Sequence, residues 1–259
     1  AHGHLLVVTL ANRFMVLDTL TPTGTPKVLW SRNLYVTPPG KTVNRGIQIR
    51  AVVAVGGRQK FIINGPQGQT LGKIGPITSE MIVYQVAKKI YAADPLTGKL
   101  LWQRAVSKPG CHLFGDHKHI FVVPPQSPTQ AIVMRGIDGA KVGQRTIVSV
   151  ASQISTQGQF SLTWRRSGNN YLLTYTDVLA EKVVWQKQYS EQAKIDLIKN
   201  DEVAIIEPTL GRFNVIDMQT GKTRVDDRIE ADPGINHIIV RRSNDRYVLL
   251  TYNPQRNPK

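Results

Sequence analysis

A chain of 259 residues, 41% hydrophobic and 20% charged, is long enough to bury a large core as one all-β domain, and it carries no apolar stretch of membrane-spanning length. Its one cysteine, Cys111, excludes an internal disulfide framework, a CxxC redox pair and any cysteine-clustered zinc or iron–sulfur site. The formal charge of +15 attracts polyanions, but the basic residues are spread along the chain, with Lys88-Lys89, Arg165-Arg166 and Arg241-Arg242 as the tight doublets, which describes a solvated basic surface rather than a basic arm.

Taken in chain order, the predicted elements are short strands and tight turns. Leu5 to Leu10 reads as a strand, and Asp18 to Trp30 as a turn through Thr23-Gly24 leading into another. Phe61-Ile62-Ile63 followed by Gly65-Pro66-Gln67-Gly68 reads as strand and turn without an acidic residue. Ser79 to Ala93 has a helical alternative through Met81, Tyr84, Lys88 and Ile90. It is rejected because its end runs into Asp94-Pro95-Leu96-Thr97-Gly98-Lys99-Leu100-Leu101-Trp102, a phrase whose other copies are strand-like.

That phrase returns as Asp217-Met218-Gln219-Thr220-Gly221-Lys222, with Val225 near the place of the tryptophan. A third copy, Asp177 to Trp185, has Ala180-Glu181 for Thr-Gly but keeps the eight-residue step from Asp to Trp, and a weaker one is Ile137-Asp138-Gly139. With Asp94, Asp138, Asp177 and Asp217 as markers the intervals are 44, 39 and 40 residues, the spacing of four-stranded propeller blades. The 76 residues from Asp18 to Asp94 then predict one further blade, around residue 67. A second phrase, Arg165-Arg166-Ser167 leading to Leu172-Leu173-Thr174-Tyr175, returns 76 residues later from Arg241-Arg242-Ser243 to Tyr252, close to two periods. An Asp opening a turn accepts hydrogen bonds from amides two or three residues on, and the glycine after it permits positive φ, so Asp-x-x-Thr-Gly-Lys is first a turn device.

These phrases, above all Tyr91-Ala92-Ala93-Asp94 with Thr97-Gly98-Lys99 and Trp102, resemble the repeat of quinoprotein alcohol dehydrogenases and their cofactor-free relatives, the PQQ-like β-propellers. The resemblance implies an all-β propeller of four-stranded antiparallel blades over residues 1–259, with a polar tail at 253–259. Markers near residues 18, 67, 94, 138, 177 and 217, plus strand material after Gly234, give about six to seven blades, where members of the family usually have seven or eight. The expectation is a piece of a longer chain rather than a small closed ring. In that family the tryptophan of each blade packs between blades, so the resemblance makes Trp30, Trp102 and Trp185 docking residues.

Four functional readings follow. The preferred one is a non-catalytic binding or scaffold module with a protein partner and no cofactor. No nucleophile–base motif, phosphate loop or paired-carboxylate spacing stands against it. The alternative is a dehydrogenase using the quinone PQQ with calcium. The resemblance implies for such enzymes a vicinal cysteine pair, which Cys111 alone cannot form, and Asp18, Asp94, Asp138, Asp177 and Asp217 sit in repeat turns. A metal site at His117 and His119, which would share one face of a strand, is weighed against an exposed hairpin at Gly115-Asp116 and the hairpin is preferred; His2 and His4 near the chain start and His237 beside an apolar strand carry no stronger case. Polyanion binding lacks aromatics interleaved with the basic residues. The family resemblance implies the periplasm or cell envelope.

Overall fold

The structure, a computed structural model, describes residues 4–10, 13–22, 24–34, 49–51, 61–63, 72–106, 108–198, 201–244 and 246–252. The chain divides into two compact units, Ala1–Val150 and Ala151–Lys259. The first holds a three-stranded sheet, blade A, of β1 (Leu5–Leu10), β2 (Arg13–Asp18) and β3 (Lys27–Asn33), then a hairpin of β4 (Ile49–Ala51) and β5 (Phe61–Ile63). Two four-stranded sheets follow. Blade B is β6 (Lys73–Ile77), β7 (Ile82–Val86), β8 (Lys89–Ala93) and β9 (Leu100–Ala105), and blade C is β10 (His112–Gly115), β11 (His119–Val123), β12 (Gln130–Arg135) and β13 (Lys141–Thr146).

The second unit holds blade D, of β14 (Gln153–Gln157), β15 (Phe160–Ser167), β16 (Asn170–Asp177) and β17 (Lys182–Ser190), and blade E, of β18 (Lys194–Ile198), β19 (Glu202–Glu207), β20 (Arg212–Asp217) and β21 (Thr223–Arg228). Blade F has two described strands, β22 (His237–Ser243) and β23 (Arg246–Tyr252). In every sheet the strands pair antiparallel in chain order. Ser79 to Ala93 is strand, turn and strand, not helix.

The second strands of blades B, C and E are buried on both faces, and their period of two divides the core between neighbours. On β7, Ile82 and Tyr84 pack with Phe14, Val16 and Trp30 of blade A, while Val83 packs with Leu113, Ile120 and Val122 of blade C. On β19, Val203 and Ile205 pack with Leu162, Leu173 and Tyr175 of blade D, while Ala204 and Ile206 pack with Ile238 and Val240 of blade F. Each fully buried side chain of this size contributes roughly 1.5–3 kcal/mol from apolar area, so a register slip on these strands would move the set serving one neighbour toward the other. Fourth strands such as β9 and β21 expose most of their residues and carry the charge.

Two expectations from the sequence are corrected. Among the described residues no blade stands between A and B: the amide of Gly72 donates to the carbonyl of Leu34, and Trp30 of blade A lies directly on the turn of blade B. The described part of the long interval is the β4–β5 hairpin; Gly65 to Gly68 lie outside the described residues, as do Ala1 to Gly3, with His2, and the tail at 253–259. The Arg-Arg-Ser phrase is not a blade marker either. It spans the second and third strands of blade D but the first two described strands of blade F, where the amide of Val240 donates to Asp196 of β18, the first strand of blade E. What recurs is a hairpin: the Arg166 Nε caps the carbonyl of Gly168, and the Arg242 Nε caps that of Asn244.

Candidate functional site

The repeat residues form clasps between blades. In the turn from third to fourth strand of blade B, Asp94 Oδ1 accepts the amides of Leu96 and Thr97 and the Thr97 hydroxyl, and the Gly98 amide donates to the Asp94 carbonyl. The Thr97 amide, chiefly, holds the Asp94 carboxyl below its ordinary pKa. The turn of blade E repeats this with Asp217, Thr220 and Gly221. Gly98 and Gly221 both have φ of +68°, and a Cβ on either would lie 2.6 Å from an indole carbon of the preceding blade, Trp30 or Trp185. Only glycine satisfies both conditions.

Each of those indoles also donates its N–H to the turn it covers: Trp30 to the carbonyl of Pro95 at 2.8 Å, Trp102 to Gly136 at 2.6 Å and Trp185 to Met218 at 2.8 Å. The acceptor lies three residues before the glycine in all three. This regularity corrects the marker in blade C. Gly139 donates to the carbonyl of Arg135, as Gly98 does to that of Asp94, so Arg135 stands in the aspartate position and Asp138 in the threonine position. The side-chain bond between the two positions survives with donor and acceptor exchanged, since Arg135 Nε reaches Asp138 Oδ1 at 2.9 Å and holds that carboxyl well below the usual range. Counted from Arg135, the intervals become 41 and 42 residues.

Asp177 accepts the Ala180 amide, and Glu181 takes the glycine position at φ +53°. Gly143, opposite Val133, occupies the tryptophan position of blade C. In blade A, Asp18 accepts the amide of Leu20. Val225, opposite Val215, stands in the tryptophan position of blade E. There a charge cluster joins the neighbouring blade in addition to the apolar packing of Ile206 with Ile238 and Val240. Glu202 is 1% exposed, and its Oε1 accepts from Arg242 at 2.9 Å and from the Tyr247 hydroxyl at 2.9 Å, with Arg224 at 3.3 Å. Arg224 also donates to Asp217 and lowers that carboxyl to about 2.

A third repeated residue was missed in the sequence: a basic side chain two after the tryptophan position, Arg32, Arg104, Arg145 and Lys187. Arg32 donates to the Gly98 carbonyl at 2.8 Å and Lys187 to Thr223 at 2.9 Å, each in the next blade. The signal was available as Trp-x-Arg or Trp-x-Lys, since i and i+2 on a strand share a face.

The remaining candidates are structural where they are described. Cys111 is buried, its amide donates to Gln85 Oε1 at 2.8 Å, and burial pushes its thiol up, away from the reactive thiolate. Asp116 accepts the amides of Lys118 and His119 in the turn between β10 and β11, which places His117 in the turn itself. His237 stacks on Tyr252, with centroids 5.0 Å apart. Among the described residues no three His, Cys, Asp or Glu side chains converge as a metal site.

These blades define the chain as a β-propeller protein. No family model matches it, and no curated protein matches it in sequence. Solved structures do: Hsv2p of Kluyveromyces lactis has a TM-score of 0.52 at 13% identity, covering 96% of this chain and 68% of that one. BamB of Moraxella catarrhalis has a TM-score of 0.43 at 12% identity, covering 95% and 69%. The chain thus spans about two thirds of the length of either structure.

Proposed function

We propose that the chain is a non-catalytic docking module whose partner is a protein with an acidic, apolar-bearing surface. One observation carries the reading. The first unit presents an exposed aliphatic residue at the same place in three successive turns, Leu20 (74% exposed), Leu96 (54%) and Ile137 (82%), each followed at or just before the start of the next strand by an exposed lysine, Lys27, Lys99 or Lys141. Blades A, B and C are clasped in order through Trp30 and Trp102, so these turns repeat along one rim. Apolar groups set among cations complement an acidic partner. The carboxylates of Asp94 and Asp217 are engaged in their own turns and the Cys111 amide is bonded to Gln85, which favours the reading without a quinone or calcium. An envelope location is carried only by the family resemblance; no described helix is long and apolar enough to cross a membrane.

The triple variant Leu20→Asp, Leu96→Asp, Ile137→Asp tests the rim, because all three side chains are exposed and the fold should melt unchanged. A protein retained from native extract by the parent chain, released by salt and no longer retained by the variant is the expected result. Equal retention by both, retention of nucleic acid or heparin alone, or quinone-dependent turnover of alcohols would overturn the reading.

A further inference from the structure

Three of the four tryptophans are consumed by the repeat, their N–H groups donating to the next blade. The fourth, Trp164, is off the repeat position, on β15, and stacks flat on Tyr171, its diagonal cross-strand neighbour, at 4.7 Å between centroids and 7° between planes. Both rings line a cleft of about 310 Å³ in the second unit together with Glu191, Lys194, Asn236 and His237. That volume falls at the lower end of small-molecule sites, which join apolar or aromatic walls to a few placed polar groups.

The polar groups narrow the ligand. Glu191 is held by Arg166 through Oε2 at 2.9 Å, and Arg166 is itself anchored on the Gly168 carbonyl, so the carboxylate is positioned while Oε1 can accept another donor. Lys194 brings donors and no acceptor to the cleft wall. With Glu191 already paired to Arg166, the wall disfavours a cation. An aromatic wall with donors and acceptors at its edge suits a neutral molecule that has one apolar face and a rim of hydroxyls.

We infer that this cleft binds a neutral saccharide, one pyranose ring packing against the Trp164–Tyr171 stack while its hydroxyls bond to Glu191 and Lys194. The inference is independent of the docking rim, which lies in the other unit.

Saturation-transfer NMR on the full chain with methyl α-glucopyranoside, maltotriose and N,N′-diacetylchitobiose tests it. Transfer to ring protons of at least one of them is expected, and it is lost in Trp164→Ala. Trp164 also touches the core of its unit, so the double variant Glu191→Gln, Lys194→Met decides where Trp164→Ala fails to fold; its affinity falls about tenfold, the effect of one or two lost charged hydrogen bonds. No transfer to any of the three sugars, transfer unchanged in the variants, or transfer only to glucose 6-phosphate or tryptamine overturns the assignment.

Discussion

Within the second unit, blade D meets blade E through Trp185, whose indole covers Gly221 and donates to the Met218 carbonyl, and blade E meets blade F where Val225 takes the tryptophan position. At the second junction a buried carboxylate, Glu202, gathers Arg224, Arg242 and Tyr247. The aromatic clasp works by shape and apolar area, which salt and pH barely touch. The ionic one depends on a charge that must be taken out of water and then fully paired, and Glu202 Oε2 makes no hydrogen bond among the described residues. Both junctions have an apolar core, to which one adds an aromatic clasp and the other an ionic cluster.

Substitutions that remove each clasp separate the two. Trp185→Ala takes away a large interblade side chain and its hydrogen bond, and should lower stability by about 3 kcal/mol in urea unfolding, with the same loss at low and high salt. An equal loss for a surface tryptophan control would show that the clasp adds nothing. Glu202→Ala should cost less, about 2 kcal/mol, because Arg242 and Arg224 are partly exposed and can recover water. The difference from the parent should shrink in high salt, and a salt-independent difference would make the network ordinary packing.

Asp217→Asn has the smallest expected effect and the clearest sign. The folded-state pKa of Asp217, about 2, lies below the ordinary 3.8, so its stabilisation is present above about pH 4 and is lost as pH falls toward 2. The Asn variant should lose that part of the acid dependence, and an unchanged acid-unfolding curve would place the charge of Asp217 outside the balance.

Tight turns were legible because their chemistry is local. Asp94, Thr97 and Gly98 satisfy each other within five residues, so the phrase carries its conformation with it. Arg135 and Asp138 show where such reading slips: the turn keeps its backbone while exchanging donor and acceptor, and an acidic residue in a similar string was aligned three places from the aspartate position. The interval between Asp18 and Asp94 misled for a different reason. Length alone does not say which blades are neighbours, whereas the contact of Trp30 with Gly98 does.

Trp164 was not read as a site residue, because nothing near it in the chain announces a cleft. Its partners Tyr171, Glu191, Lys194 and His237 come from four different elements or connections of the second unit. By itself the sequence determined the all-β character, the turn device and the tryptophans able to dock, since these depend on alternation along one strand and hydrogen bonds across one turn. Tertiary structure alone decided which blades are neighbours, which clasp is aromatic and which ionic, and where a cleft remains, because those depend on side chains far apart in the chain meeting across blade faces.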